Sequence, residues 1–255
     1  MKNKKNQRAR WLDAWRGLAL LSMVGFHGYY DLTRIFGQKA LLLPAFLEHL
    51  WQQSILISFV FIAGCVSNYT VHSWKRGMVL CLWGLGLTGI THFFIPEETI
   101  IWGVLSFMGL GGVFLGFLAK AWERYCEKTS SGEQQKAALL NFVFFMVAFF
   151  CTEGLPRGFL GCYGNYFCKV PFTSNNFFLF ILGWPTEGFF SADYVPLVPW
   201  LFLGAGGYFF WQLVRKQGEK LKGPRSLSFL GEHTLLIYLL HQPLLYGLCT
   251  LYFQH

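Results

Sequence analysis

Arg16 and His27 lie on one largely apolar stretch, Leu12 to Leu32, with ten residues between them. Eleven steps of about 100° return a side chain to nearly the same direction, so the two groups share a helix face about 16 Å apart along the axis. Asp13 precedes Arg16 by three residues and Asp31 follows His27 by four, spacings that put each pair on one face as well. A carboxylate one turn from a histidine can accept the Nδ1 proton, fix the tautomer and leave Nε2 aimed at a reactant, as general base catalysis requires. The plainer assignment is that His27 hydrogen-bonds a neighbouring helix and Asp31 only reaches the interface. An ionisable group within a spanning helix is costly, which makes this set a candidate functional site.

A second polar set stands at the far end of the chain. The segment Leu227 to Pro243 carries Glu232 and His233 near its start and His241 and Gln242 deep inside. If the first and last spans run the same way, His27 and His241 come to comparable depth, roughly 20 Å in, while Arg16 and Glu232 sit near about 6 Å. Glu232 and His241 are about half a turn out of phase on an ideal helix. Either a kink at Pro243 brings them together or His233 takes the place of Glu232 in the lower layer.

The elements that must hold these groups are membrane helices. Of 255 residues, 54% are hydrophobic, 19% aromatic and only 13% charged. Beyond the first helix, apolar spans read at about 50–70, 76–94, 100–120, 137–153, 194–213 and 227–251. The continuously apolar part of 175–190, Phe177 to Trp184, is too short to cross and reads as a partial or re-entrant helix before Pro185. The expected fold is all-α: one polytopic integral membrane helical bundle, residues 1–255, with about seven spans plus that partial helix. Gly84 to Gly86, Gly109 to Gly112 and Gly204 to Gly207 are expected to let helices approach closely.

Charge sets the orientation. The formal charge is +8, but its cations fall in short blocks between apolar runs, which is a topology signal and no nucleic-acid footprint. Lys2, Lys4, Lys5, Arg8 and Arg10 give residues 1–10 the character of a basic cytoplasmic tail, and Arg215, Lys216, Lys220, Lys222 and Arg225 make a second cytoplasmic block. The C-terminus is then extracytoplasmic. The Asn68-Tyr69-Thr70 sequon falls on the cytoplasmic side and is discounted as a glycan site. The seven cysteines show no metal-ligand spacing, so no metal is expected; Cys162 and Cys168 share one loop and would pair only in an oxidising compartment.

Leu12-Asp-Ala-Trp-Arg-Gly-Leu-Ala-Leu-Leu-Ser-Met-Val-Gly-Phe-His27 resembles the first-helix signature of the transmembrane acyltransferase superfamily, which includes the acyltransferase-3 proteins. Three further segments are similar to the bacterial relatives of heparan-alpha-glucosaminide N-acetyltransferase: Phe94 to Leu105, Phe190 to Trp200, and Leu227 to Pro243. The resemblance covers nearly the whole chain. It implies transfer of an acyl group, typically acetyl from cytoplasmic acetyl-CoA, to a glycan or amino-sugar acceptor across a bacterial inner membrane. It further implies catalytic roles for His27, Asp31 and Arg16, with His27 as base or transient acyl carrier and Arg16 and Asp13 toward the cofactor. Trp200, His241 and Gln242 are then candidates for the thioester donor, and Asp193 and His241 for the acceptor. Ser106 departs from the pattern, standing where many similar proteins carry histidine.

The rival of a different class is a transporter or non-catalytic polytopic scaffold, since a proton-coupled carrier also needs histidine and aspartate in the membrane. No internal repeat of the kind found in secondary transporters is visible. A homodimer is compatible with either reading.

Overall fold

The computed structural model describes residues 9–70, 73–171, 176–188, 191 and 193–253. Lys2, Lys4, Lys5 and Arg8 of the basic tail, Asn175, and Phe190 and Ala192 of one family-like segment lie outside the described residues. The long helices are α1 (Arg10–Tyr30), α2 (Ala45–Ser67), α3 (Ser73–Phe94), α4 (Val104–Cys126), α5 (Ser131–Thr152), α7 (Leu197–Gly218) and α9 (Thr234–Phe253); α6 (Phe177–Leu182) and α8 (Arg225–Glu232) are short. Among the described residues six helices, α2, α3, α4, α5, α7 and α9, are long and apolar enough to cross a membrane. The first helix matches them in length with 21 residues but carries Arg10, Asp13 and Arg16. The chain is a polytopic membrane protein of the all-α class.

Helix ends depart from the hydropathy windows for physical reasons. Ser130 caps α5 by accepting from Glu133 N while Glu133 Oε2 accepts from Ser130 N at 3.0 Å, so the helix starts before its apolar part. The regular part of α7 begins only at Pro199, because Val198 is extended as residues before proline tend to be. The partial helix is α6, opened by Asn176 Oδ1 accepting from Phe178 N at 3.0 Å and closed by Gly183 at φ 92°. The expected single last span is two helices, because the chain breaks helical geometry at His233 between α8 and α9.

One feature is absent from the all-helical expectation. A hairpin, β1 (Phe159–Cys162) and β2 (Asn165–Lys169), follows α5, its two-residue turn made by Tyr163 and Gly164 at positive φ. In its register Leu160 faces Cys168 and Cys162 faces Asn165, so the two cysteines are not opposite each other and both are free thiols.

The chain divides into two compact units: Met1–Ile62 with Lys216–His255, and Ala63–Arg215. In the first, α1 and α8 touch backbone to backbone. A methyl group on Gly17 would overlap the carbonyl of Leu227, and one on Gly231 would overlap the carbonyl of Asp13. Trp11 Nε1 donates to Gly218 O at 2.8 Å and Ser228 Oγ to Arg10 O at 3.1 Å, fastening the same pair of segments. Above this contact Leu20, Met23, Phe26 and Ile55 form a buried apolar cluster.

The second unit uses the same device. Gly77 of α3 and Gly109 of α4 oppose each other, and a methyl on Gly64 of α2 would overlap the carbonyl of Gly204 in α7. The glycine runs are therefore only partly contact faces: Gly86 and Gly112 have open space where a side chain would be. Ser106 is buried with its Oγ against Gly84, which explains a small residue there: a histidine would drive α3 and α4 apart. Asn68 Nδ2 donates to Cys65 O at 3.0 Å and Tyr208 O at 3.3 Å, and Asn68 Oδ1 accepts from Gln212, so the sequon asparagine is used in helix packing.

Gly17→Ala and Gly231→Ala are each expected to destabilise the protein by about 1–3 kcal/mol through overpacking, whereas Gly86→Ala is neutral. Thermal unfolding of the purified variants checks this; unchanged melting of Gly17→Ala contradicts the backbone contact.

Candidate functional site

In the first unit, α1 and α9 bring His27 and His241 together with ring centroids 4.8 Å apart and the planes at 64°. The comparable depth expected from counting along the two segments is thus met. His241 is buried, and its Nδ1 lies 2.6 Å from the carbonyl of Tyr238. A carbonyl only accepts, so Nδ1 carries the hydrogen, which leaves Nε2 of the neutral ring as the lone-pair nitrogen. That Nε2 is buried without a hydrogen-bond partner among the described residues.

Asp31 is fully buried at the point where α1 widens into a π-helical turn, Asp31–Ile35, a distortion common at functional sites. Its Oδ1 accepts from Gln242 Nε2 at 2.8 Å. The hydrogen bond that the i,i+4 spacing suggested, Asp31 to His27, is not the one formed. The amide of Gln242 on α9 supplies a donor that the spacing on α1 could not reveal. Asp31 Oδ2 and Gln242 Oε1, like His241 Nε2, are buried without hydrogen-bond partners among the described residues. Acceptor atoms of this kind can receive hydrogen bonds from N–H or O–H donors.

Toward the start of α1, Arg16 Nη1 lies 3.4 Å from Asp13 Oδ1 and donates to the Gly231 carbonyl at 3.3 Å. Among the described residues the lower layer includes Arg16, Asp13 and the Gly231 carbonyl. Glu232 and His233 are exposed, which corrects the expectation that either would complete it; the break between α8 and α9 turns them away. Pro243 lies within the continuous helix α9. A cavity of about 160 Å³ between α1 and α2, bordered by Trp15, Ala19, Ser22 and Ser58, runs beside α1 at levels between Arg16 and His27. Ser22 Oγ accepts from Trp51 Nε1 at 2.9 Å on the same side.

The other expected site residues belong to the second unit. Asp193 Oδ2 accepts from Val104 N at 3.3 Å, placing a carboxylate at the N-terminus of α4. Ser191 Oγ accepts from Ile101 N at 2.9 Å and Val195 N donates to Trp102 O at 3.3 Å, so two of the family-like segments are stitched to each other. Trp102 itself has φ 59°, and its buried indole N–H has no partner among the described residues. Trp200 is buried against Phe149, with ring centroids 5.5 Å apart, as a core side chain. Sequence reasoning missed the hairpin and Trp102. A Tyr-Gly turn between aromatic residues was the available signal for the first, and nothing marked the second.

Paired imidazoles and a buried carboxylate inside the helices of a polytopic membrane protein form a candidate site for proton chemistry. The family model described as heparan-alpha-glucosaminide N-acetyltransferase, catalytic, matches residues 8–243, and the chain belongs to that family. It is a membrane acetyltransferase-like protein. No curated protein and no solved structure matches the chain.

Gln242→Leu would leave the Asp31 carboxylate without its donor and is expected to cost about 1–3 kcal/mol. The pair Asp31→Asn with Gln242→Leu is expected to recover part of that loss. Chemical denaturation of the single and double variants reads both; an unperturbed Gln242→Leu rules the pair out as a structural tie.

Proposed function

We propose that the protein moves an acyl group, acetyl in the first instance, from acyl-CoA on the cytoplasmic side to a glycan or amino-sugar acceptor on the other side. The observation that carries this reading is the set of three donor-hungry acceptor atoms beside the imidazole pair, His241 Nε2, Asp31 Oδ2 and Gln242 Oε1. An acceptor hydroxyl or amine offers hydrogens to such a set, and one of them is the proton that must leave during acyl transfer.

Acyl-CoA supplies the activated thioester. The imidazole pair takes the proton from the acceptor's O–H or N–H, and the freed lone pair forms the new bond to the acyl carbon. As the C–S bond breaks, the same imidazole returns the proton to the departing sulfur, so the donor leaves as a thiol. Asp31, held by Gln242, fixes the far side of the site and stabilises the transient imidazolium. Arg16, oriented by Asp13 and the Gly231 carbonyl, faces the anionic end of the donor, where a guanidinium binds phosphate well. Lys216 and Lys220 add to the positive field at that end. The residues present fit a CoA thioester in charge and in order along α1. The basic tail and the Arg215 to Arg225 block support an N-terminus in the cytoplasm, with the bilayer as the protein's first partner and a homodimer compatible with it; a bacterial inner membrane is part of the same proposal.

The test supplies detergent-purified protein with labelled acetyl-CoA and envelope glycans. His241→Ala and His27→Ala are expected to lower transfer by about 100- to 10,000-fold with melting and CoA binding retained, and Arg16→Gln to weaken CoA binding. Full transfer by both histidine variants sinks the mechanism. Solute flux through proteoliposomes that neither binds nor needs CoA would instead favour the carrier.

A further inference from the structure

In the first unit, the connection from α7 to α8 is drawn onto the start of α1. Trp11 Nε1 holds the Gly218 carbonyl, and a methyl on Gly223 would lie 2.5 Å from Ala14 Cβ. The contact continues along α8, where Ser228 and Gly231 are buried and Gly231 meets the Asp13 carbonyl. The outer side of this segment is therefore presented on a fixed support. There Arg10, Lys216, Lys220, Lys222 and Arg225 are exposed, and none of the five forms an ion pair among the described residues. The acidic residues between Lys216 and His233 are Glu219 and Glu232.

Two large apolar side chains stand among these cations. Leu221, between Lys220 and Lys222, is 55% exposed, and Phe229 is 61% exposed. Arg225 and Phe229 are one helical turn apart and share the outer face of α8. The Phe229 ring rests against His233, with centroids 4.3 Å apart, so the apolar group is held in place beside the charge. A topology signal needs only the cations. It gives no reason for a leucine and a phenylalanine to be held outward between them.

We propose that this surface binds the head groups of anionic phospholipids, with Lys222 and Arg225 on the phosphate and Leu221 and Phe229 on the upper acyl chain. Cations clustered just outside a membrane helix attract the acidic lipids of the adjoining leaflet. Apolar side chains among them enter the boundary between head groups and chains, as in helices that lie in the interface. A free phosphate would engage the same cations but leave Leu221 and Phe229 in water, so the surface suits the lipid. The inference stands apart from acyl transfer: lipid binding requires neither acyl-CoA nor His27, and Lys222 and Arg225 have no part in the proposed reaction.

The experiment purifies the full chain from mixed micelles holding equal amounts of phosphatidylglycerol and phosphatidylcholine with matched chains, then counts the retained lipids by mass spectrometry. Phosphatidylglycerol is expected in about tenfold excess at low salt and in smaller excess at high salt, equally in His27→Ala. Lys222→Gln and Arg225→Gln are each expected to cut that excess about fivefold, and the two together to abolish it. Lys222→Arg keeps the excess, and Phe229→Ser lowers phosphatidylglycerol retention. The pair Lys75→Gln with Arg76→Gln, whose cations belong to the second unit, leaves the excess unchanged. Should the Lys222 and Arg225 double variant fail to fold, Lys222→Gln alone carries the test. Equal retention of the two lipids by the wild type, an undiminished excess in Lys222→Gln, or as large a loss from the Lys75 and Arg76 pair each overturns the proposal. Full retention by Phe229→Ser with release of the lipid by pyrophosphate marks a free-anion site and overturns it as well. A loss of acyl transfer with the lipid excess intact speaks against the proposed reaction alone.

Discussion

The contact on which the site depends is the meeting of two backbones, α1 at Gly17 with α8 at Gly231. Neither helix can slide or roll there without pushing a carbonyl into the other. From this fixed point the chain climbs eleven residues, from Arg16 to His27, and ten, from Gly231 to His241. At about 1.5 Å per residue both climbs come to about 15 Å. Two segments separated by most of the sequence thus deliver their histidines to one level because they are pinned at another. Arg16 is set by the same contact, since the carbonyl it bonds belongs to Gly231.

Burial then decides what the polar groups can do. A fully buried carboxylate is expensive in an apolar medium and is tolerated because a donor meets it, here the amide of Gln242. The amide and the carboxylate satisfy each other only in part, and the histidine beside them in sequence spends its one hydrogen on a backbone carbonyl. Its spare acceptor atoms set it apart from a polar network in which every member is satisfied internally.

The sequence exposes periodicity along one helix far better than it exposes partners on another. The apolar runs locate the body of every long helix, because the lipid-facing length is a property of composition. They misplace helix ends, as at Ser130, because hydrogen-bonded caps and aqueous turns lie outside the apolar window. The pairing of Arg16 with Asp13 is local and was legible; the pairing of Asp31 with Gln242 spans 211 positions and was not. The split of the last span at His233 carries no proline or glycine at the break, so hydropathy reads straight through it. Glycine runs signal close packing in general, but only the structure tells Gly109, which meets α3, from Gly112, which meets open space.

The second unit repeats the logic of the first with different chemistry. Its two family-like segments are far apart in sequence yet joined through Ser191, Asp193 and Trp102, so each unit assembles one polar junction from two distant pieces of the chain. Ser106 shows how the two demands trade. A small residue there lets α4 lie against Gly84 of α3, and a histidine would have to open that contact to be accommodated. Packing in this chain thus excludes an imidazole from the α3–α4 seam, whereas the two histidines on α1 and α9 stand where glycines elsewhere along those segments take up the close approach and leave room for rings.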